Sequence, residues 1–192
     1  MYNDNFLETL SEHTDYKNIQ KSKNSLNFGS VKIAGDTDIS RFATLTPQQL
    51  QQAAKIFVFD VMIQNADRRF EKPNMFFAKG NIHIIDHELA FGFLDTLPFL
   101  RSPKSYILNQ TDVNSAKNHF FYPVLQQNKL LNWAELFEEF SHLPNDFWKK
   151  VRDIMPPQWQ TSEIDQIETH ITQIIDNFEL LKIEIWTKLL VL

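Results

Sequence analysis

The segment from Thr46 to Asn65 constrains this chain more than any other, because from Ile56 onward it is apolar on almost every side. Thr46 is a good N-cap and Pro47 suits a first helical position, where its missing N–H costs nothing. The spacing predicts a helix to about Asn65 with a face of Leu50, Ala53, Phe57, Val61 and Gln64, widened by Ile56, Val58, Phe59 and Ile63. A helix that is apolar nearly all round is stable only when other elements surround it, so this one is expected at the centre of the fold.

The elements after this helix are short and of mixed type. A polar loop runs to Pro73. Met75 to Ala78 and Ile82 to Ile85 then read as strands around Lys79-Gly80-Asn81, which has the composition of a tight hairpin turn. Beyond Phe93, Pro98 and Pro103 imply an irregular connection, and helical patterns return over Ser115 to Gln127, Trp133 to His142 and Asp146 to Ile154. Residues 162 to 192 place Ile164, Ile171, Phe178, Ile185 and Leu192 seven apart, with Ile167, Ile174 and Leu181 between them. That spacing suits a terminal helix docked on a helical core, and equally a dimerising coiled coil. Residues 1 to 45, rich in Asn, Ser, Asp and Lys, read as an N-terminal arm of loops and short elements. The fold class expected is α+β, predominantly helical, with one short β-hairpin.

The 192 residues are 43% hydrophobic and 13% aromatic, with 17 Phe and 4 Trp, enough for a sizeable aromatic-rich core. A formal charge of −5 gives no field that gathers nucleic acid or anionic lipid. With no Cys there is neither a disulfide framework nor a thiolate metal site. The first residues lack the basic and apolar pattern of a signal peptide, and no run of 18 apolar residues spans a bilayer, so a cytoplasmic location is expected.

The chemistry is concentrated in FDVMIQNADRRFEKPNMFF and NIHIIDHELAF. These strings put Asp67, Arg68 and Asn74 in the loop after a buried helix and Asp86 at the end of the second hairpin strand. Phosphoryl transfer asks little covalent work of a protein, but it needs an acceptor for the substrate proton and oxygen ligands for Mg²⁺ on the phosphates. Two carboxylates at a helix end and a strand end suit those tasks, although buried, capped acids of an ordinary polar loop would give the same letters.

The loop Asn65-Ala66-Asp67-Arg68, the pair Pro73-Asn74 and the strand end Ile85-Asp86-His87 resemble HipA-like kinases, which share the protein-kinase-like fold; lipid kinases are similar at the same places. The resemblance implies that residues 46 to 192 are a helical kinase-like C-terminal lobe and residues 1 to 45 an arm or a remnant of the small lobe. It implies transfer of the ATP γ-phosphate to a protein Ser or Thr hydroxyl. Asp67 would orient that hydroxyl or accept its proton, while Asn65 and Arg68 hold the loop in shape. Asp86 and Asn74 would hold Mg²⁺ with the nucleotide, and His87 beside them would pack or hydrogen-bond from behind.

One departure from the protein-kinase pattern stands five residues after Asp67, where Lys72 replaces a metal-binding Asn. Lysine offers no acceptor, so Asn74 is the candidate ligand. The 66 residues before Asp67 contain just Gly29 and Gly35, too few for a phosphate-covering glycine loop. Val31-Lys32-Ile33 is only superficially like the strand that carries an ATP lysine. A separate small lobe or an antitoxin-like protein is therefore an expected partner. The alternative is a non-catalytic pseudokinase that binds a partner in a toxin–antitoxin arrangement. His83 and His87, four apart in a strand, make a poor metal pair. The cluster His119-Phe120-Phe121-Tyr122 reads as core.

Overall fold

Thr46 closes the start of the first long helix with a reciprocal pair of hydrogen bonds: its Oγ1 accepts from the Gln49 N–H at 3.2 Å, and Gln49 Oε1 accepts from the Thr46 N–H at 3.0 Å. The computed structural model describes residues 37–38, 44–97, 99, 101–126 and 131–190, all within one compact unit. Most of the expected N-terminal arm, including Val31-Lys32-Ile33, lies outside the described residues.

Helix α1 spans Pro47–Met62 and stops three residues short of the expected Asn65. Gln64 takes a left-handed backbone, φ 50°. The N–H groups of Gln64 and Asn65 turn back to the carbonyls of Val61 and Asp60 at 3.3 and 2.9 Å. This is a Schellman closure made without glycine, so no residue type in the segment signals the stop. The helix is central as expected, with Ala53, Ala54, Phe57 and Val58 fully enclosed. Its burial is centred on those four residues, however, and Val61 and Gln64 are only half-buried.

Strands β2 (Met75–Ala78) and β3 (Asn81–Ile84) form the hairpin, with Ala78 opposite Asn81. Only Lys79 and Gly80 make the turn, at φ 52° and 82°, the signs that a two-residue primed turn requires. The second strand thus begins and ends one residue before its expected bounds. Gln52 ties α1 to the hairpin: its Nε2 donates to Asn81 Oδ1 at 2.7 Å and its Oε1 accepts from the Ile82 N–H at 3.0 Å. A two-residue strand, β1 (Thr37–Asp38), pairs antiparallel with the other edge of β2, giving the order β1-β2-β3.

The rest is helical: α2 (Gln110–Lys117), α3 (Tyr122–Gln126), α4 (Trp133–Glu138), α5 (Phe147–Ile154), α6 (Ser162–Asp176) and α7 (Phe178–Ile185), which runs on into a π-helical turn, Trp186–Leu190. The structure corrects two expectations. The helix read over Ser115 to Gln127 is two helices. The first begins at an Asn109/Asp112 capping box, and the chain between them turns so that residues 119 and 120 meet α1 and the loop after it. The C-terminal helix is broken at Asn177, whose backbone at φ −123° and ψ 29° is not helical. Ile174, Phe178, Leu181, Ile185 and Leu189 are all buried in the same core as Phe57, so core docking accounts for that part of the heptad-like spacing. The architecture is mostly helical with a small antiparallel sheet, and no helix among the described residues is long and apolar enough to cross a membrane.

Candidate functional site

Asp60 is the one charged residue in the apolar stretch Ile56–Ile63, and it is 2% exposed. A carboxylate in that position must be paired to be tolerated. Asn65 Nδ2 donates to Asp60 Oδ1 at 2.9 Å, Arg68 Nε to Oδ2 at 2.5 Å, and His119 Nε2 to Oδ2 at 2.9 Å. Burial opposes the Asp60 charge, but the hydrogen bonds from His119 and Arg68 outweigh it and hold the carboxyl below its usual range. His119 Nδ1 accepts from the Phe121 N–H at 3.1 Å, so the proton sits on Nε2 and the ring is a neutral donor. Burial likewise pushes the His119 pKa down.

Arg68 is wholly enclosed and joins three segments. Besides Asp60, its Nη1 donates to the Asn74 carbonyl at 2.6 Å, and its Nη2 meets His87 Nε2 at 2.9 Å. The same Asn74 carbonyl accepts the Ile85 N–H at 2.9 Å. One planar guanidinium therefore fixes the helix end, the Pro73-Asn74 segment and the chain leaving the hairpin relative to each other. His87 accepts from Arg68, and burial first, then the nearby Arg68 charge, lowers its pKa and keeps it neutral. It also lines an apolar cavity of about 610 Å³ with Phe59, Met62, Phe91, Trp148 and Ile171.

On this frame Asp67 and Asp86 are brought to one place. The Asp67 side chain is 3% exposed, and its Oδ2 accepts from Lys72 Nζ at 2.6 Å and from Asn74 Nδ2 at 3.0 Å. Arg69 Nη2 reaches its Oδ1 at 3.3 Å. Burial opposes this charge as well, but hydrogen bonds from Lys72 and Asn74 prevail and lower the pKa, so Asp67 is ionised at neutral pH. The Lys72 ammonium also lies 3.2 Å from Asp86 Oδ2, so the two carboxylates share one cation. Hydrogen bonds to Asp67 and then Asp86 raise the Lys72 pKa.

Asp86 stands two residues past the end of β3. It and Asn74 both take left-handed backbones, φ 55° and 49°, a conformation that Asp and Asn tolerate better than most residues. Asp86 Oδ2 meets Lys72, and Asn74 meets Asp67 through its amide nitrogen; a carboxylate with an amide oxygen is a donor set suited to a hard cation. The two histidines weighed as a metal pair are apart: His83 stacks on Phe76 with ring centroids 5.4 Å apart, while His87 turns to Arg68. Among the described residues, no group of three or more histidines and acids could hold a metal ion. Beside the loop lies a cavity of about 350 Å³ lined by Asn65, Ala66, Gly92, Phe93, Arg101 and Asp112; Asp67 and Asp86 do not line it.

All six residues singled out from the sequence, Asn65, Asp67, Arg68, Asn74, Asp86 and His87, thus belong to one connected network. Sequence reasoning missed Asp60 and the use made of His119. A lone acid inside an apolar helix was a legible signal for the first, since it must find partners. Nothing local marks a histidine 59 positions away as one of them.

A family model described as HipA-like kinase matches residues 5–187. No curated protein and no solved structure matches the chain. The match takes in the whole of the loop and hairpin just described and nearly all of the sequence, and the chain belongs to the HipA-like kinase family.

Proposed function

We propose that this chain transfers the γ-phosphate of ATP to a Ser or Thr hydroxyl of a protein, acting as a kinase-like C-terminal lobe. The observation that carries the reading is the shared ammonium: Lys72 Nζ touches both Asp67 Oδ2 and Asp86 Oδ2, so the two acids address one volume. In this scheme the acceptor oxygen attacks the γ-phosphorus, the bond to the β-phosphate oxygen breaks and ADP leaves. The hydroxyl proton passes to Asp67. A carboxylate with a lowered pKa is a weak base, so Asp67 orients the hydroxyl first and takes its proton late, as a loose phosphoryl transition state allows. Asn65 and Arg68 keep the loop in place, and Asn74 fixes the Asp67 carboxylate through its amide nitrogen.

Asp86 and the Asn74 amide oxygen are the residues that would hold Mg²⁺. When bound, the ion would supply positive charge to the phosphates. His87 supports the site from behind through Arg68. This sequence carries no glycine-rich loop before Asp67. We assign the cover over the nucleotide to a small lobe from outside these residues, with a separate antitoxin-like protein as the candidate partner.

One observation favours a second reading, a non-catalytic module that binds a partner: the position between the acids already holds a cation, Lys72. The experiment that separates the two incubates the chain with γ-labelled ATP, Mg²⁺ and an extract of its own cells, which supplies the small-lobe partner and the protein substrate, and identifies the labelled amino acids by mass spectrometry. The kinase reading expects phosphoserine or phosphothreonine that disappears with Asp67→Asn. Absence of label in every protein supports the binding module.

A further inference from the structure

Protein kinases gather charge on the phosphates with two divalent ions, held by a strand-end Asp and by an Asn five residues after the catalytic Asp. In this chain that second position is Lys72. We infer that Lys72 is a resident cation standing in for one of the two ions, so that the site takes one divalent ion fewer than it would with Asn there. The inference rests on the phosphotransfer reading of the site and concerns how that site is charged.

Three observations carry it. The ammonium is 2.6 Å from Asp67 Oδ2 and 3.2 Å from Asp86 Oδ2, so it lies between the two acids and against the carboxylate that would hold a divalent ion. A second cation placed against the same oxygens would compete with the ammonium for them and be repelled by it. The loop is built to put the lysine there. The N–H of Lys72 donates to the Arg69 carbonyl and the N–H of Arg69 to the Lys72 carbonyl, both at 3.2 Å, closing a tight turn, and Pro73 restricts the backbone of Lys72. Finally, Asp67 has little left for a metal. Its Oδ2 accepts from both Lys72 and Asn74, and its Oδ1 from Arg69. What remains for a divalent ion is the other oxygen of Asp86 and the amide oxygen of Asn74, enough for one.

The charge reaching the phosphates is then partly covalent to the protein. Lys72 would lie against a γ-phosphate oxygen once the nucleotide is in place, sharing its ammonium among the phosphate and the two acids. A lysine brings one positive charge where a metal ion brings two, so the substitution lowers the site's demand for divalent ions and also the charge it can offer.

The test counts Mn²⁺ bound per chain in the presence of a non-hydrolysable ATP analogue, by electron paramagnetic resonance of the free ion, with folding checked by circular dichroism. The wild type and Lys72→Arg are expected to hold one Mn²⁺ in the nucleotide complex, and Lys72→Asn two. Two ions in the wild type overturn the inference and leave the phosphotransfer reading standing, as does an equal count in wild type and Lys72→Asn. If Lys72→Asn does not fold, the wild-type count alone decides. Failure of the wild type to bind any Mn²⁺ with the analogue overturns this inference, while the phosphotransfer reading is decided separately by the labelling experiment in the presence of the partner.

Discussion

His119 reaches back 59 positions to place its Nε2 2.9 Å from Asp60 Oδ2, in the helix that also carries the fully enclosed Phe57 and Val58. That pair, with Arg68 as its third member, explains how the loop carrying Asp67 is held on the end of an apolar helix. Asp60 brings charge into the core, Arg68 neutralises it, and the rest of the guanidinium binds the Asn74 carbonyl and His87. The chain also closes backbone to backbone at this point, the Phe120 N–H donating to the Arg68 carbonyl at 2.9 Å.

Removing Arg68 should therefore do more than delete a contact. Arg68→Met leaves Asp60 buried without its cation, and breaking a buried pair in this way costs about 3–5 kcal/mol. His119→Phe removes one neutral donor to the same carboxylate, for roughly 1–3 kcal/mol. Urea unfolding of the three proteins checks the order: wild type most stable, His119→Phe next, Arg68→Met least. Equal midpoints for wild type and Arg68→Met would show that the Asp60 charge is carried by something else.

Acidification should unfold the protein in two stages. Burial holds the His119 and His170 pKa values below the ordinary histidine value, although His119 bonds to Asp60 and His170 to the Met62 carbonyl. In the unfolded chain both take up protons from about pH 6.5 downward, while the folded protein resists. Stability is thus complete above that pH and declines as pH falls through it, by at most about 1.4 kcal/mol per pH unit for each group. Asp60, with its lowered pKa, adds a second loss below about pH 4. Thermal midpoints at pH 7.5, 5.5 and 3.5 should fall in that order, and His170→Gln should flatten the first step. A midpoint unchanged between pH 7.5 and 5.5 contradicts this account.

The hairpin depends on its turn. Gly80 sits at φ 82° with no atom within 4 Å of where a Cβ would be, so any penalty for a side chain comes from the backbone alone. Gly80→Val should cost about 1–2 kcal/mol, while Lys79→Asn, which suits its left-handed position better, should be neutral or mildly stabilising. Differential scanning calorimetry reads both, and a neutral Gly80→Val would mean that the turn relaxes to another type.

These features differ in how far they could be read from the sequence. The start of α1 and the existence of the hairpin were legible because each has a local cause, a capping pair and a Lys-Gly turn; the six residues of the network were singled out through the resemblance of their motifs to HipA-like kinases, and their contacts came only with the structure. Where α1 stops was not, since Gln64 closes the helix in a left-handed conformation that carries no glycine signature. The same holds for Asn177, which divides a heptad-like pattern that reads as continuous because both halves bury the same face. Asp60 was overlooked for a related reason. Periodicity counts apolar positions and passes over the exception, yet that exception anchors the loop through partners set by tertiary packing.

The most direct test of the account is the rate of γ-phosphate transfer from ATP, measured at saturating Mg²⁺ for the wild type, Asp67→Asn and Asp86→Asn. Transfer should fall by roughly 10²–10⁴-fold in Asp67→Asn, as expected when a positioned proton acceptor is lost, with nucleotide binding retained. In Asp86→Asn, transfer and Mg²⁺-dependent binding should disappear together. Equal rates in all three proteins, or no transfer by the wild type in a cell extract that supplies the small lobe, would contradict the claim that these two acids form one phosphotransfer site.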